Sequence, residues 1–157
     1  MSLLPFFEWL AATRLSEAMS ASVWAFAVVE MFHLLALAML GGTVLILNLR
    51  LLGLRLQRRP VAEVTRELSP YSFASLAVLV VSGALLVIDG PLRYYSNSAF
   101  RVKMLLLTIA VIFSLTLHRW AVRSENRGIS PGARIAAVVS LMLWLSVGLA
   151  GRAIGFL

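Results

Sequence analysis

The chain contains no cysteine. Disulfides, thiolate metal sites and cysteine-held iron–sulfur clusters are excluded by that absence, which says nothing about compartment. Histidine is scarce, with only His33 and His118, and seven acidic residues stand against 14 lysines and arginines. No H-E-x-x-H, Walker loop or G-x-S-x-G occurs, and no spacing of Ser, His and Asp suggests a hydrolytic triad. Internal repeats and low-complexity tracts are missing too. The net charge of +7 invites a nucleic-acid reading. Its distribution opposes that reading, because no basic stripe interleaves with exposed aromatics.

What the chain has instead is hydrocarbon-compatible sequence. Hydrophobic residues make up 61% of it, against roughly 45–50% in soluble domains. They fall in four blocks, at about 20–50, 70–88, 100–122 and 132–155. Each is near the ~20 residues a helix needs to cross a bilayer core. The expectation is all-α: one integral membrane domain over residues 1–157, a four-transmembrane-helix bundle whose surroundings are lipid. "LPFFEWL" reads as a short N-terminal interfacial helix with Trp and Phe at headgroup level. The opening "MSLLPFFEWLAATRL" has no basic start and is interrupted by Glu8 and Arg14, which makes it a poor signal peptide. "VAEVTREL", residues 61–68, reads as an amphipathic cytoplasmic segment, followed by Pro70 in the first turn of the second span. Ser130-Pro131 supplies an N-cap and first-position proline for the fourth.

Arginines concentrate after spans one and three: Arg50, Arg55, Arg58, Arg59, Arg66, Arg119, Arg123, Arg127 and Arg134. The other side holds Arg14, Arg93, Arg101, Lys103 and Arg152. The positive-inside rule then puts both termini on the outer side of a cytoplasmic membrane.

Ionisable residues within spans are costly, about 2.5–3.5 kcal/mol for Arg, Lys or Asp at a helix centre, and are functional candidates by default. Here they are Glu30, His33, His118 and, near an end, Arg152. On the first helix Glu30, His33, Gly41 and Asn48 fall within about 80° at 100° per residue, a polar and small stripe expected to face the bundle interior. Counting ~1.5 Å per residue from Arg50 and Arg134 brings Glu30, His33 and Arg152 to one level near the outer face. A Glu30–Arg152 ion pair with His33 one turn inward is available there, with Tyr95 arriving from the second span's exit. The alternative is that Glu30 and His33 only bond each other or a neighbouring helix and fix packing. His118 lies on the order of 20 Å deeper, with Ser114 and Ala110 beneath it, or it is an interfacial histidine beside Arg119. One haem clamped by both histidines of one chain is therefore ruled out. On the fourth helix Ser140, Trp144, Gly148, Gly151 and Gly155 share a face. The glycines there suggest tight helix contact, and Trp144 either lines a cofactor pocket or packs the core.

The stretches "VEMFHLLALAMLGG", "LNLRLLG", "YYSNSAFRVKMLLL", "LHR" and "LWLSVGLAGRAI", in that order, resemble a family of small bacterial four-helix integral membrane proteins of unknown function. The resemblance covers nearly the whole chain. It implies the fold, a bacterial inner membrane, and Glu30, His33, Arg50, Gly53, Tyr95, Asn97, Lys103, His118, Trp144 and Arg152 as the matching positions. It implies no activity. The sequence departs from the pattern at Asn48, where an aspartate usually precedes "LRLLG". A looser likeness to four-helix membrane cytochromes and copper-handling membrane proteins rests only on histidines within helices.

Three functions follow as expectations, and none of them fixes whether the chain is an enzyme. The leading one is a redox or metal site near the outer face. There His33 ligates a b-type haem or accepts a quinol proton, Glu30 relays, and Arg152 holds an anionic group, with Trp144 and Tyr95 at the cofactor. It takes a homodimer pairing two copies of His33, or a separate haem on each of His33 and His118, or a copper ion at His33. Met31 and Met39 do not share the His33 face, which weakens copper. The second is a proton-coupled transporter or channel subunit, an oligomer in which Glu30 and His33 titrate on one side and His118 on the other. The third is a structural or accessory subunit.

Overall fold

The computed structural model describes residues 3–56, 58–123 and 130–154, apart from the side chains of 122 and 123. Arg127 and Gly155, singled out above, lie outside the described residues, as does the side chain of Arg123. Seven helices are formed among the described residues: α1 (Leu4–Ala11), α2 (Arg14–Ser20), α3 (Val23–Leu51), α4 (Val61–Asp89), α5 (Pro91–Ser96), α6 (Ser98–Arg123) and α7 (Pro131–Ala153). Helices α3, α4, α6 and α7 are long and apolar enough to cross a membrane, and large apolar side chains such as Leu34, Leu35, Val80, Leu105 and Leu149 are exposed around them. A soluble protein would bury these; here the surrounding solvent is hydrocarbon.

The four long helices form a square. α3 packs against α4 and α7, and α6 packs against α4 and α7. The amphipathic segment expected at 61–68 is not a separate helix: α4 runs unbroken from Val61, and Pro70 lies in its interior. Interior proline is tolerated in membrane helices because neighbouring hydroxyls and helices re-satisfy the freed backbone groups. The turn-rich exit of α4 contains the single turn and a half of α5. Two short helices, not one, precede the first span. The end of the bundle opposite the arginines is tied by Ser16 Oγ donating to Ile88 O (2.7 Å) and Asn97 Nδ2 donating to Ile154 O (3.3 Å). Ser130 caps α7 by accepting from Ala133 N (3.2 Å), with Pro131 following it, as the sequence implied.

At the arginine-rich end Leu51, Leu117, Ala133 and Ala137 make the tightest core. α3 stops there because Gly53 takes φ 76°. Leu54 N reaches Leu49 O (3.0 Å) and Gly53 N reaches Arg50 O (3.1 Å), the two bonds of a Schellman cap. A side chain at Gly53 meets the left-handed penalty. Gly53→Ala is expected to cost about 1 kcal/mol of stability, read as a lower unfolding midpoint in detergent with the helical circular dichroism unchanged. Past the cap, buried Arg50 donates Nε to Arg59 O (2.8 Å), which holds the turn into α4. Arg59 in turn donates to Glu63 and to Glu67 (Nη1 to Oε2, 2.9 Å). The Glu67 and Glu63 carboxylates hold its guanidinium still more firmly protonated than usual.

Candidate functional site

The interior face of α4 is a ladder of hydroxyls. Thr65, Ser69, Ser72, Ser75 and Ser82 recur at helical spacing, and all but Ser72, whose hydrogen goes across to α3, donate to the carbonyl four residues back, at 2.6–2.7 Å. This back-bonding keeps the hydroxyls satisfied in hydrocarbon and leaves each oxygen free to accept from across the bundle. Two imidazoles hang on this ladder. His33 Nδ1 lies 2.8 Å from Ser82 Oγ, and His118 Nε2 lies 2.9 Å from Ser69 Oγ.

The hydroxyl hydrogens assign the tautomers. Ser82 Oγ is 2.6 Å from Val78 O and Ser69 Oγ is 2.7 Å from Thr65 O, too close for two oxygens without a proton between them. Each serine hydrogen is thus committed to its own helix, and each imidazole must donate. Neutral His33 then carries its proton on Nδ1 and presents a bare Nε2. His118 carries it on Nε2 and presents a bare Nδ1. The two supporting serines are 13 residues apart, about 20 Å along the axis. The separation expected between the histidines holds, and a single haem between them is excluded.

Around His33, α4 contributes direct neighbours and α6 a cation that is packed against α7. Ser82 and Gly83 come from α4. The Cβ position of Gly83 is 3.4 Å from His33 Cε1, so glycine there admits the ring. Lys103 on α6 is half-buried and within electrostatic range of His33. Its Cε and Nζ lie 3.5 and 3.7 Å from the Cβ position of Gly151 on α7. In the sequence Lys103 counts among the cations of the outer side and among the positions the resemblance matches; at its place in α6 it turns inward. Gly151 reads as a helix-contact glycine and instead makes room for this lysine.

Other expectations shift. Glu30 is exposed on α3. Glu30 makes no ion pair with another described residue, so the Glu30–Arg152 pair is not formed. Arg152 sits exposed in the last turn of α7. Gly41 and Gly148 face open space, with nothing within 4 Å of the place a methyl group would take. Over the outer half of α3 the buried residues Ala36, Leu40 and Thr43 centre the interior face roughly 50° from His33, on the side away from Glu30 and Gly41, whereas Asn48, towards the arginine-rich end, is buried as the stripe implied. Tyr95 belongs to the interfacial layer, its ring 5.3 Å from Phe7 and under the Arg101 guanidinium at 5.6 Å.

Deeper in, side chains bridge all four edges of the square. Ser72 Oγ donates to Thr43 Oγ1 (2.9 Å) between α4 and α3, and His118 joins Ser69 between α6 and α4. Trp144 Nε1 donates to Ser114 Oγ (2.9 Å) between α7 and α6, and Asn48 Nδ2 to Ser140 Oγ (3.1 Å) between α3 and α7. They ring a cavity of about 70 Å³ whose wall includes Asn48, His118 and Trp144. The half-buried His118 ring faces the bundle interior, set edge-on to Phe73 at 5.7 Å between ring centres.

No group of three or more His, Asp or Glu side chains able to hold a metal occurs among the described residues. Met31 and Met39 are exposed, away from the interior.

Fold and site together define a multi-pass helical membrane protein with a polar interior. Residues 6–157 match the model of a family of unknown function (DUF6644), and the chain belongs to that family. Comparison with curated proteins gives no match, and comparison with solved structures gives none either.

Proposed function

We propose that this protein conducts protons, coupled to passage of a small polar solute, between the two ends of the α4 ladder. The observation that carries the reading is the imidazole held by a serine at each end of one hydroxyl-lined helix face. An imidazole with one nitrogen donating to a fixed partner and the other bare accepts and releases a proton without moving its ring. Between them, the Thr43–Ser72 pair and Ser75 supply further hydroxyls. Lys103 beside His33 attracts an anionic or electron-rich group to the entrance. The arginine-rich end faces the cytoplasm of a bacterial inner membrane in this reading. Exposed Glu30, outside the ion pairs of the described residues, points to a second copy of the chain against α3.

Reconstituted into liposomes with a pH-sensitive dye inside, the protein is expected to dissipate an imposed pH gradient. His33→Ala and His118→Ala each lower the rate at least about tenfold, the scale of a lost proton-transfer group. Equal rates with and without protein, or full activity in both variants, would overturn the proposal.

The same geometry weighs on the cofactor readings. A cavity of about 70 Å³ is far below the ~300–1,000 Å³ of sites for drug-sized ligands, and it gives a haem inside the bundle no support. A quinone keeps one specific support. An apolar groove of about 350 Å³ between α3 and α4 opens beside Ser82, which bonds His33. Absence of a Soret band from protein made with ample haem, together with quinone-dependent quenching lost in Ser82→Leu, would favour that second reading over proton conduction.

A further inference from the structure

The cavity ringed by the four interhelical bridges contains a polar atom without a partner. Asn48 is 1% exposed, and its Oδ1 is fully buried and accepts no hydrogen bond. Its amide nitrogen donates twice, to Val44 O (2.8 Å) and to Ser140 Oγ (3.1 Å). Turning the amide over would set Oδ1 against the Val44 carbonyl, so the orientation is fixed and the orphan is the oxygen. An unmet buried acceptor costs about 1–3 kcal/mol, and it belongs to a residue that lines a space large enough for about two water molecules at ~30 Å³ each.

The rest of the lining states what would satisfy it. His118 brings a bare Nδ1, a second acceptor. Ser114 and Ser140 accept from Trp144 and Asn48 respectively, which leaves their hydroxyl hydrogens to be given. No carboxylate, lysine or arginine lines the cavity among the described residues. Taking an ion out of water without a counter-charge costs far more than the available hydrogen bonds return, so a charged occupant is disfavoured. Phe73 and Trp144 add aromatic walls suited to a small planar or apolar-edged solute.

From this geometry we infer that the cavity is a binding site for a neutral, hydrogen-bonding solute of two to four heavy atoms, a small amide or alcohol, held between Asn48 Oδ1 and the hydroxyls of Ser114 and Ser140. The inference does not need the transport reading, because a static chamber would bind the same solute. Binding without proton flux would overturn that reading and leave this one standing.

Trp144 reports on the cavity directly. In protein carrying Trp9→Phe, Trp24→Phe and Trp120→Phe, the emission of Trp144 is expected to change saturably with formamide, and with acetamide at higher concentration. N,N-dimethylacetamide, which has six heavy atoms and no donor, and ammonium chloride, whose cation is small enough to enter but charged, are expected to leave it unchanged. Asn48→Leu, close in volume and lacking the acceptor, weakens formamide binding at least tenfold. An unsaturable formamide response, an equal response to ammonium, or equal binding by dimethylacetamide would each overturn the proposal. Those three tests need no Asn48 variant, so they hold even if Asn48→Leu folds poorly.

Discussion

Leu51→Ala is expected to lower the unfolding free energy by about 2–5 kcal/mol, the range for emptying a well-packed core position. Leu149→Ala is expected to change it by no more than about 0.5 kcal/mol. Both are leucines on membrane-crossing helices. Leu51 is 0% exposed, and Leu149 is 64% exposed. The contrast follows from the solvent. In lipid no hydrophobic gain comes from bringing two apolar surfaces together, since acyl chains are as apolar as leucine, and stability rests on close packing and interhelical hydrogen bonds. Leu51 lies in the cluster with Leu117, Ala133 and Ala137, where helices approach through small residues. Truncation there leaves a void that neither lipid nor neighbouring alanines can fill. At Leu149 an acyl chain takes the place of the lost methyls. Equilibrium unfolding in mixed micelles, followed by far-ultraviolet circular dichroism, separates the two. A Leu51→Ala loss no larger than that of Leu149→Ala would mean that the arginine-rich core is not the structural anchor of the bundle.

Four spans, their order and the cap of α7 are legible in the sequence because they depend on run length and local chemistry: twenty apolar residues, then arginines, then Ser-Pro. The candidate site is legible only in part. His33 and His118 stand out, as the only imidazoles in apolar runs, and their axial separation follows from helix rise alone. Their partners do not stand out. Ser69 and Ser82 look like any serines in a membrane helix until the facing helix is known. Hydroxyls at 65, 69, 72, 75 and 82 on one face of one span are a signal, but a weaker one than charge. Lys103 is hidden for the opposite reason. Near a span end a lysine is normally an anchor in the headgroups, and only the gap left by Gly151 on another helix turns it inward. The error at Glu30 and Gly41 is angular. A stripe defined by polar residues alone takes no account of Ala36 and Leu40, whose burial fixes where α3 actually faces.

Leu40→Ala is expected to raise proton flux about tenfold or more. The antiparallel register of α3 and α4 is set by His33 with Ser82 and Thr43 with Ser72, and it places Leu40 level with Ser75. Between Ser75 and Ser82 the ladder has no hydroxyl over six residues, a step of about 10 Å from one serine to the next. Buried Ala36 and Leu40 on α3 and buried Val147 on α7 fill that stretch. Leu40 also forms part of the cavity wall, so its side chain separates the Asn48 chamber from the His33 level. A short apolar constriction of this kind blocks a path by excluding water, and shortening one side chain lets water bridge it. The same change removes packing worth about 2–5 kcal/mol, so a faster flux through a less stable bundle is the signature. Leu40→Met, close in volume, keeps the seal and is expected to conduct like the unaltered protein. The measurement is the dye-reported decay of a pH gradient in liposomes, with the fraction of folded protein checked by gel filtration. If Leu40→Ala conducts no faster than Leu40→Met at equal folded content, the path does not run through the bundle interior, and the two imidazoles would then serve the bundle separately at its two ends.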